Sequence, residues 1–137
     1  MPNSQYTINK FQTIHNHQIT KFSNRTYDLE LRTLEFSKRV IALCKVLPKT
    51  VTTLELTKQV VRSSTSIGAN YREANESLGR KDFLYRLRIT RKEAKETTYW
   101  LELLHESEAD FELPIEALIQ ESRELRSIFT AIIDKSR

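Results

Sequence analysis

Apolar residues recur along this chain at alternating steps of four and three, the spacing of helices that pack side by side. The first such stripe comprises Leu29, Thr33, Phe36, Val40, Leu43 and Leu47, and Pro48 ends it. Three more stripes follow, from Leu56 to Leu78, from Phe83 to Leu104 and from Ile115 to Ile132. The pattern predicts an all-α fold, an antiparallel up-down-up-down four-helix bundle. Because its repeat is nearer ~3.5 than ~3.6 residues per turn, we expect a left-handed supercoil.

Residue types at the ends of these stripes suggest where each helix begins. Asp28 is a good N-cap for the first helix, and Thr52 with Glu55 has the spacing of a capping box for the second. We expect Asp82 to cap the third helix and Pro114 to occupy the first turn of the fourth.

The second stripe keeps its phase through a segment rich in residues that form helices poorly. Ser63–Ser66 and Gly68 are therefore expected inside helix two, with close backbone packing as the reason for the glycine. Gly79 suits the left-handed residue after a helix end. The short connection around it makes helices two and three antiparallel neighbours.

Residues 1–25 show no helical period and are rich in polar side chains, with scattered Phe11, Ile14, Ile19 and Phe22. We interpret this segment as an N-terminal arm, flexible or docking on a partner, and residues 26–137 as the bundle domain. With 2 glycines and 3 prolines among 137 residues, the chain has too few turn formers for an all-β fold.

Composition limits the cellular compartment and the kinds of partner that we expect for this protein. No apolar run approaches the ~20 residues of a membrane span, and the polar N-terminus lacks the apolar core of a signal peptide. The single cysteine, Cys44, excludes an intramolecular disulfide and fits the reducing cytoplasm. A net charge of +4 permits contact with nucleic acid without requiring it.

A second set of apolar residues flanks the predicted core seams. Each bundle helix has two neighbours, so part of this set should be partly buried; the remainder is more apolar surface than a monomer usually exposes. We therefore predict a homo-oligomer. The set comprises Leu34, Ile41, Tyr85, Ile89, Trp100, Leu103, Ile119, Ile128 and Ile133.

Basic residues cluster on helix three opposite its core seam and around the corner that precedes it. A solvated helix face would look the same, but one face of cations is also what a nucleic acid backbone binds. A tyrosine beside it could stack on an unpaired base. The candidate nucleic-acid-binding residues are Arg80, Lys81, Arg88, Arg91, Lys92, Lys95 and Tyr99.

Helices two and three also share polar residues on their facing flanks, namely Arg62, Asn70, Glu73, Glu93, Glu96 and Trp100. Antiparallel pairing should bring Arg62 to Glu96 and Trp100, with a cation–π contact, and Asn70 to Glu93. A carboxylate metal site is one interpretation, but helical di-iron sites need Glu-x-x-His motifs on two helices, and this chain has that spacing once, at Glu102 and His105. We favour an ion-pair network that sets the register of the two helices, and we expect no metal.

The sequence does not indicate a nucleophilic catalytic site. Ser63, Ser64 and Ser66 have no histidine in helical register, and Cys44 lies beside the first stripe as a small buried residue. There is no phosphate-cradling glycine loop and no zinc-ligand spacing. We predict neither an enzyme nor a cofactor, and no small-molecule substrate.

Four stretches together resemble one known family: RSSTSIGANYREANE from Arg62, KDF from Lys81, RKEAKET from Arg91 and YWL from Tyr99. These residues are similar to the bacterial four-helix-bundle proteins encoded in intervening sequences of large-subunit ribosomal RNA genes. The similarity covers about residues 27 to 135. The family's characteristic positions fall on Arg62, Ser63, Ser66, Ile67, Asn70, Glu73, Ala74, Phe83, Glu93, Glu96, Trp100 and Leu101.

The resemblance implies a cytoplasmic homopentamer associated with RNA. A related branch comprises accessory proteins of diversity-generating retroelements, which bind a reverse transcriptase and nucleic acid. Two functions therefore lead: a non-enzymatic oligomeric bundle that binds structured RNA, or an adaptor that docks a protein such as a reverse transcriptase. A purely structural bundle with no partner beyond itself is a third possibility.

Overall fold

The computed structural model describes residues 26–137, with side chains from Leu29 onward, and these residues form four long helices. They are α1 (Thr26–Val46), α2 (Val51–Asn75), α3 (Arg80–Ser107) and α4 (Glu112–Ser136), with a 3-10 turn at Ala109–Phe111 before α4. The range 26–137 contains no strand. The all-α class and the four-helix bundle are confirmed, whereas the arm over residues 1–25 lies outside the described residues.

The predicted stripes form one core. Helix pairs α1–α2, α2–α3 and α3–α4 pack extensively, and the contact between α1 and α4 is smaller. Tyr71 of α2 and Phe129 of α4 meet across the centre with ring centroids 5.4 Å apart. Fully buried members of the core include Phe36, Val40, Val60, Ile67, Leu87, Leu101, Leu104, Ile115 and Leu125. The complete up-down-up-down order and the left-handed supercoil stay predictions.

Two predicted helix starts are wrong by a few residues. Thr50, not Thr52, is the N-cap of α2, because its hydroxyl oxygen accepts the Thr53 backbone N–H at 3.1 Å. The N-cap of α3 is Gly79 rather than Asp82, which lies within the first turn. Gly79 has φ of 146°, a conformation that side-chain-bearing residues rarely adopt.

The outer limits of α1, α2 and α4 also differ from expectation. α1 begins at Thr26, just before Asp28, and α4 begins at Glu112, so Pro114 lies in its first turn but not at its start. α2 ends at Asn75, where the Glu76 and Ser77 backbone N–H groups bond back to the carbonyls of Glu73 and Ala74. Leu78, predicted as a core residue, is therefore beyond the helix and 100% exposed.

The serine-rich segment of α2 is helical throughout, as its phase predicted. Ser63 and Ser64 are fully buried, and the Ser37 hydroxyl of α1 donates to the Ser64 carbonyl at 3.1 Å. A Cβ on Gly68 would lie 3.1 Å from Thr33 Oγ1. The glycine and the small serines thus let α1 approach α2 closely.

The flanking apolar set divides into three groups by burial, of which the half-buried one comprises Ile89, Trp100 and Ile128. Ile119 and Ile133 are buried within one chain, as expected for the part of the set that neighbouring helices cover, so they offer nothing to a partner. Leu34, Ile41 and Leu103 remain exposed, as does Tyr85. Of the four helices, none combines the length and the apolar content that crossing a bilayer would require.

Candidate nucleic-acid interface and the network beside it

Cationic residues and tyrosines lie together on one face of α3. Lys81, Tyr85, Arg88, Lys92, Lys95 and Tyr99 follow one another at steps of four and three, so they share one side of the helix. All six are exposed, and the two tyrosines are 58% and 55% accessible. Leu87, Ala94 and Leu101 occupy the opposite side and are fully buried. We call this exposed set the α3 outer face.

The cations of the α3 outer face make no ion pair within the part of the chain that the structure describes. Lys81, Arg88, Lys92 and Lys95 take part in none of its ion pairs or side-chain hydrogen bonds. By contrast, Arg32, Arg62 and Arg123 each contact a glutamate within 3.1 Å. The four cations are therefore free to meet an external anion.

Arg80 and Arg91 do not belong to this face. Arg91 is half-buried and lies seven residues before Thr98, whose hydroxyl contacts Ser122 of α4 at 2.6 Å. Seven residues are about two helical turns, so Arg91 points to the α4 side. Arg80 donates its Nε–H to the Ser136 carbonyl near the end of α4. The predicted basic strip thus separates into an outer face and an α4 flank.

The tyrosines are held by their neighbours. The Tyr99 ring meets the Trp100 ring edge-on with centroids 5.1 Å apart, and the Arg86 guanidinium lies 5.9 Å from the Tyr85 ring centre. Tyr85 was predicted as part of an apolar flank; the four-residue step from Lys81 was the pattern that could have placed it on the cationic face. The exposed rings offer flat surfaces on which an unpaired base can stack.

Beside this face, Glu96 links α3 to α2. Its Oε1 accepts a charge-assisted hydrogen bond from Arg62 Nη2 at 2.5 Å and another from Trp100 Nε1 at 3.3 Å. Trp100 thus reaches Arg62 through a shared carboxylate, not through the predicted cation–π contact. Next to this pair, Thr97 Oγ1 donates to the buried Ser63 Oγ at 2.8 Å.

Other predicted members of the network lie apart from it. Asn70 donates its side-chain N–H to the Ser66 carbonyl of its own helix at 2.9 Å, and Glu73 is exposed. Asn70 was predicted near Glu93, but no hydrogen bond joins the two side chains among the described residues. With Arg62 opposite Glu96, the residue opposite Asn70, eight positions further along α2, is Arg88.

Within the described residues, Glu93 lies near the charges of Glu96 and Arg62 but makes no ion pair with Arg62. Its Oε2 is buried and has no hydrogen-bond partner. Burial raises the pKa of the Glu93 carboxyl, and the nearby Glu96 charge raises it further, against smaller opposing effects of Arg62 and Lys92. The carboxyl is therefore an unfavourable place for a negative charge.

A charge cluster between α1 and α4 was not predicted. Glu121 is 2% exposed and accepts two hydrogen bonds from Arg32, at 2.9 and 2.7 Å; Arg32 also bonds Glu124 at 2.9 Å. Arg39 is 5% exposed and interacts electrostatically with Glu121. Burial lowers the pKa of Arg39 and raises that of Glu121. The seven-residue step from Arg32 to Arg39, beside core residue Phe36, was the available sequence signal.

One group of potential metal ligands assembles at the α3–α4 corner. His105 Nε2 lies 3.0 Å from Glu116 Oε1 and 3.6 Å from Glu112 Oε1, and the three ligand atoms are all within 4.8 Å of one another. The two glutamates are exposed, and the same contacts describe an ordinary surface ion pair of a protonated histidine. The predicted absence of a metal stays a prediction.

The residues considered for nucleophilic chemistry serve packing. Ser63 and Ser64 are buried between helices, and the Ser66 hydroxyl donates to the Arg62 carbonyl. Cys44 is half-buried against the core, and burial raises the pKa of its thiol to about 11. At neutral pH the thiol is therefore protonated and a poor nucleophile.

Comparison with known proteins connects these features to a family. The family model described as 23S rRNA-intervening sequence protein matches residues 9–131, so the match begins within the N-terminal arm, earlier than expected. A search of curated proteins finds no match. The chain is similar to a protein of unknown function from the S23 ribosomal protein family of Bacteroides thetaiotaomicron, with 38% identity and a TM-score of 0.73. That likeness covers 80% of this chain and 97% of the other. The chain therefore belongs to the 23S rRNA-intervening sequence protein family.

Proposed function

We propose that the protein is a non-enzymatic, homo-oligomeric bundle that associates with structured RNA, ribosomal RNA or its precursor, in the cytoplasm. The proposed RNA association rests on the α3 outer face. This face has four exposed cations that make no ion pair in the described chain, and two exposed tyrosines lie among them. The family's description, which refers to 23S rRNA, supports the same class of partner.

Physical chemistry favours RNA over other anions for this face. Lys81 and Lys95 lie 14 residues apart on one straight helix, which corresponds to roughly 21 Å at ~1.5 Å per residue. A row of cations of this length matches a phosphate backbone, and each contact releases counterions. Tyr85 and Tyr99, near the two ends of the row, add stacking for bases in loops.

The test removes the row while keeping the fold. In R88Q/K92Q/K95Q, three exposed cations become neutral without loss of any ion pair. We expect affinity for a transcribed, structured 23S rRNA fragment to fall about 100-fold at ~0.15 M salt. The control R123Q/R126Q/K135Q removes the same charge from α4, together with the exposed Arg123–Glu102 ion pair, and its RNA affinity should fall far less. Equal losses in the two variants would contradict a dedicated face on α3.

A protein-interaction adaptor is the second candidate function. The observation that favours it is a set of exposed apolar side chains, Val51 at 83%, Leu54 at 44% and Leu113 at 69%. If the protein is an adaptor, wild type and R88Q/K92Q/K95Q should capture a purified reverse transcriptase equally well. Both proteins should then bind the RNA fragment only weakly.

The homo-oligomer half is supported by the same exposed apolar residues together with Leu34, Ile41 and Leu103. The subunit number of five comes from the family resemblance alone.

A further inference from the structure

A groove runs along the outer side of the bundle between α1 and α2. Its floor is apolar, formed by Leu34, Ile41, Cys44 and Val61, and by the small residues Gly68 and Ala69. Leu34 and Ile41 lie seven residues apart on α1 and are each 37% exposed. Such a floor is suited to apolar side chains of a partner, not to a phosphate backbone.

Cations rim this groove. Lys38 lies 3.1 Å from Glu35, and Lys58 lies 3.6 Å from Glu55. Ion pairs at the surface are weak, so carboxylates of a partner can replace these glutamates. Lys45 has no ion pair within the described range of the chain. Lys49 and Arg72 complete the rim. The groove therefore fits a partner that presents apolar side chains flanked by carboxylates.

The α3–α4 corner of the same molecule has that chemistry. Residues 101–116 contain no lysine or arginine, but carry Glu102, Glu106, Glu108, Asp110, Glu112 and Glu116. The same range also carries Leu103 and Leu113, which are 37% and 69% exposed. We call this set the acidic corner.

The acidic corner is firmly built. The Thr53 hydroxyl donates to Glu108 Oε1 at 2.5 Å, and the Glu108 backbone N–H bonds the Leu104 carbonyl at 2.9 Å. Among the described residues, no ion pair joins the acidic corner to the groove lysines. The corner lies between α3 and α4, whereas the groove lies between α1 and α2.

Within the corner, Glu102 contacts Arg123 at 3.1 Å, and His105 contacts Glu112 and Glu116. Glu106 and Asp110 take part in no ion pair of the described chain, so these two carboxylates remain available to another molecule.

We infer that a second copy of this chain occupies the groove, with the Leu103 and Leu113 side chains of its acidic corner on the apolar floor and its carboxylates against Lys38, Lys45 and Lys58. The inference rests on the homo-oligomer of the proposed function and names the two surfaces that join. Because they differ, the contact is heterologous, and each copy offers one groove and one corner. Repetition of such a contact closes a ring or extends a filament.

Two charge-reversed variants test the pairing. The groove variant is K38E/K45E/K58E, and the corner variant is E102K/E106K/D110K; all six positions are exposed. Sedimentation should show that each variant alone needs at least about tenfold higher concentration to associate than wild type, because like charges then face each other. A 1:1 mixture should associate at concentrations at which each variant alone stays apart, since the reversed groove then meets the reversed corner and the unchanged groove meets the unchanged corner. Helical circular dichroism checks the fold of each.

A smaller change provides an independent readout. Leu113→Asp alters an exposed side chain without disturbing the core and should also weaken association. Wild-type assembly in all three variants, or mixed variants that stay apart, would overturn the inference. A monomeric wild-type chain at micromolar concentration would overturn it together with the homo-oligomer half of the proposed function, but not the RNA half, since the α3 outer face is unchanged in every variant.

Discussion

The α2–α3 and α1–α4 seams hold the bundle together by different chemistry. Between α2 and α3 the interior contact is neutral, a hydroxyl bond from Thr97 to Ser63 at 2.8 Å among small side chains. Between α1 and α4 the interior holds charge, with Arg39 and Glu121 only 5% and 2% exposed.

The difference bears on function. Arg32 and Arg39 of α1 face acids of α4 inside the molecule, so their charge serves the fold. The cations of the α3 outer face have no acids across from them in the described chain. A basic residue is therefore informative about a partner only after its internal pairing is known, which helical spacing alone does not reveal.

The largest effect is expected from breaking the charged seam. Glu121→Ala leaves two buried or partly buried arginines without their main acid, so the free energy of unfolding should fall by about 3–5 kcal/mol. Urea denaturation measures it. Glu124→Ala is the control, because Glu124 contacts the same Arg32 but is 46% exposed, and it should cost about 1 kcal/mol or less. Equal losses would mean that burial does not distinguish the two acids.

A smaller effect is expected at the neutral seam. Thr97→Val keeps the side-chain shape but removes the donor to Ser63, which should cost about 1 kcal/mol. Thr90→Val is matched to it: Thr90 is also fully buried on α3, and its hydroxyl bonds only the Arg86 carbonyl of its own helix. If Thr90→Val proves as costly in the same urea experiment, the bond across the seam contributes nothing of its own.

The smallest effect concerns Glu93 at the edge of the neutral seam. Its pKa in the folded protein is raised above the ordinary 4.5, so protonation stabilises the fold at low pH, and this contribution is lost as the pH rises through the raised pKa. Glu93→Gln imitates the protonated acid and should raise the melting temperature at pH 7–8, with a gain that shrinks toward pH 4.

Glu73→Gln, at an exposed position of the neighbouring helix α2, is the control and should leave the melting temperature nearly unchanged at pH 7–8. A gain for Glu93→Gln that does not depend on pH would show that ionisation is not its cause.

Much of the fold was predictable because apolar spacing reports directly on helix packing. The stripes placed Phe36, Ile67, Leu87 and Phe129 in the core, and unbroken phase kept Ser63–Gly68 helical. Helix ends were less predictable, since several nearby residues can cap: Thr50 and Thr52 are both suitable, and only the backbone geometry selects Thr50.

The candidate interface was predictable only in part. Spacing placed Arg88, Lys92 and Lys95 together, but it did not separate Arg91, which faces α4, or include Tyr85. The Arg32–Glu121 pair joins residues 89 positions apart, and no local pattern specifies a contact at that distance along the chain.

Salt dependence tests most directly whether the α3 outer face binds RNA phosphates. The affinity of wild-type protein and of R88Q/K92Q/K95Q for the same 23S rRNA fragment is measured from low to high salt. If each cation holds one phosphate, the slope of log affinity against log salt should be shallower in the variant by about 3. Parallel slopes, or wild-type binding that does not change with salt, would contradict the account.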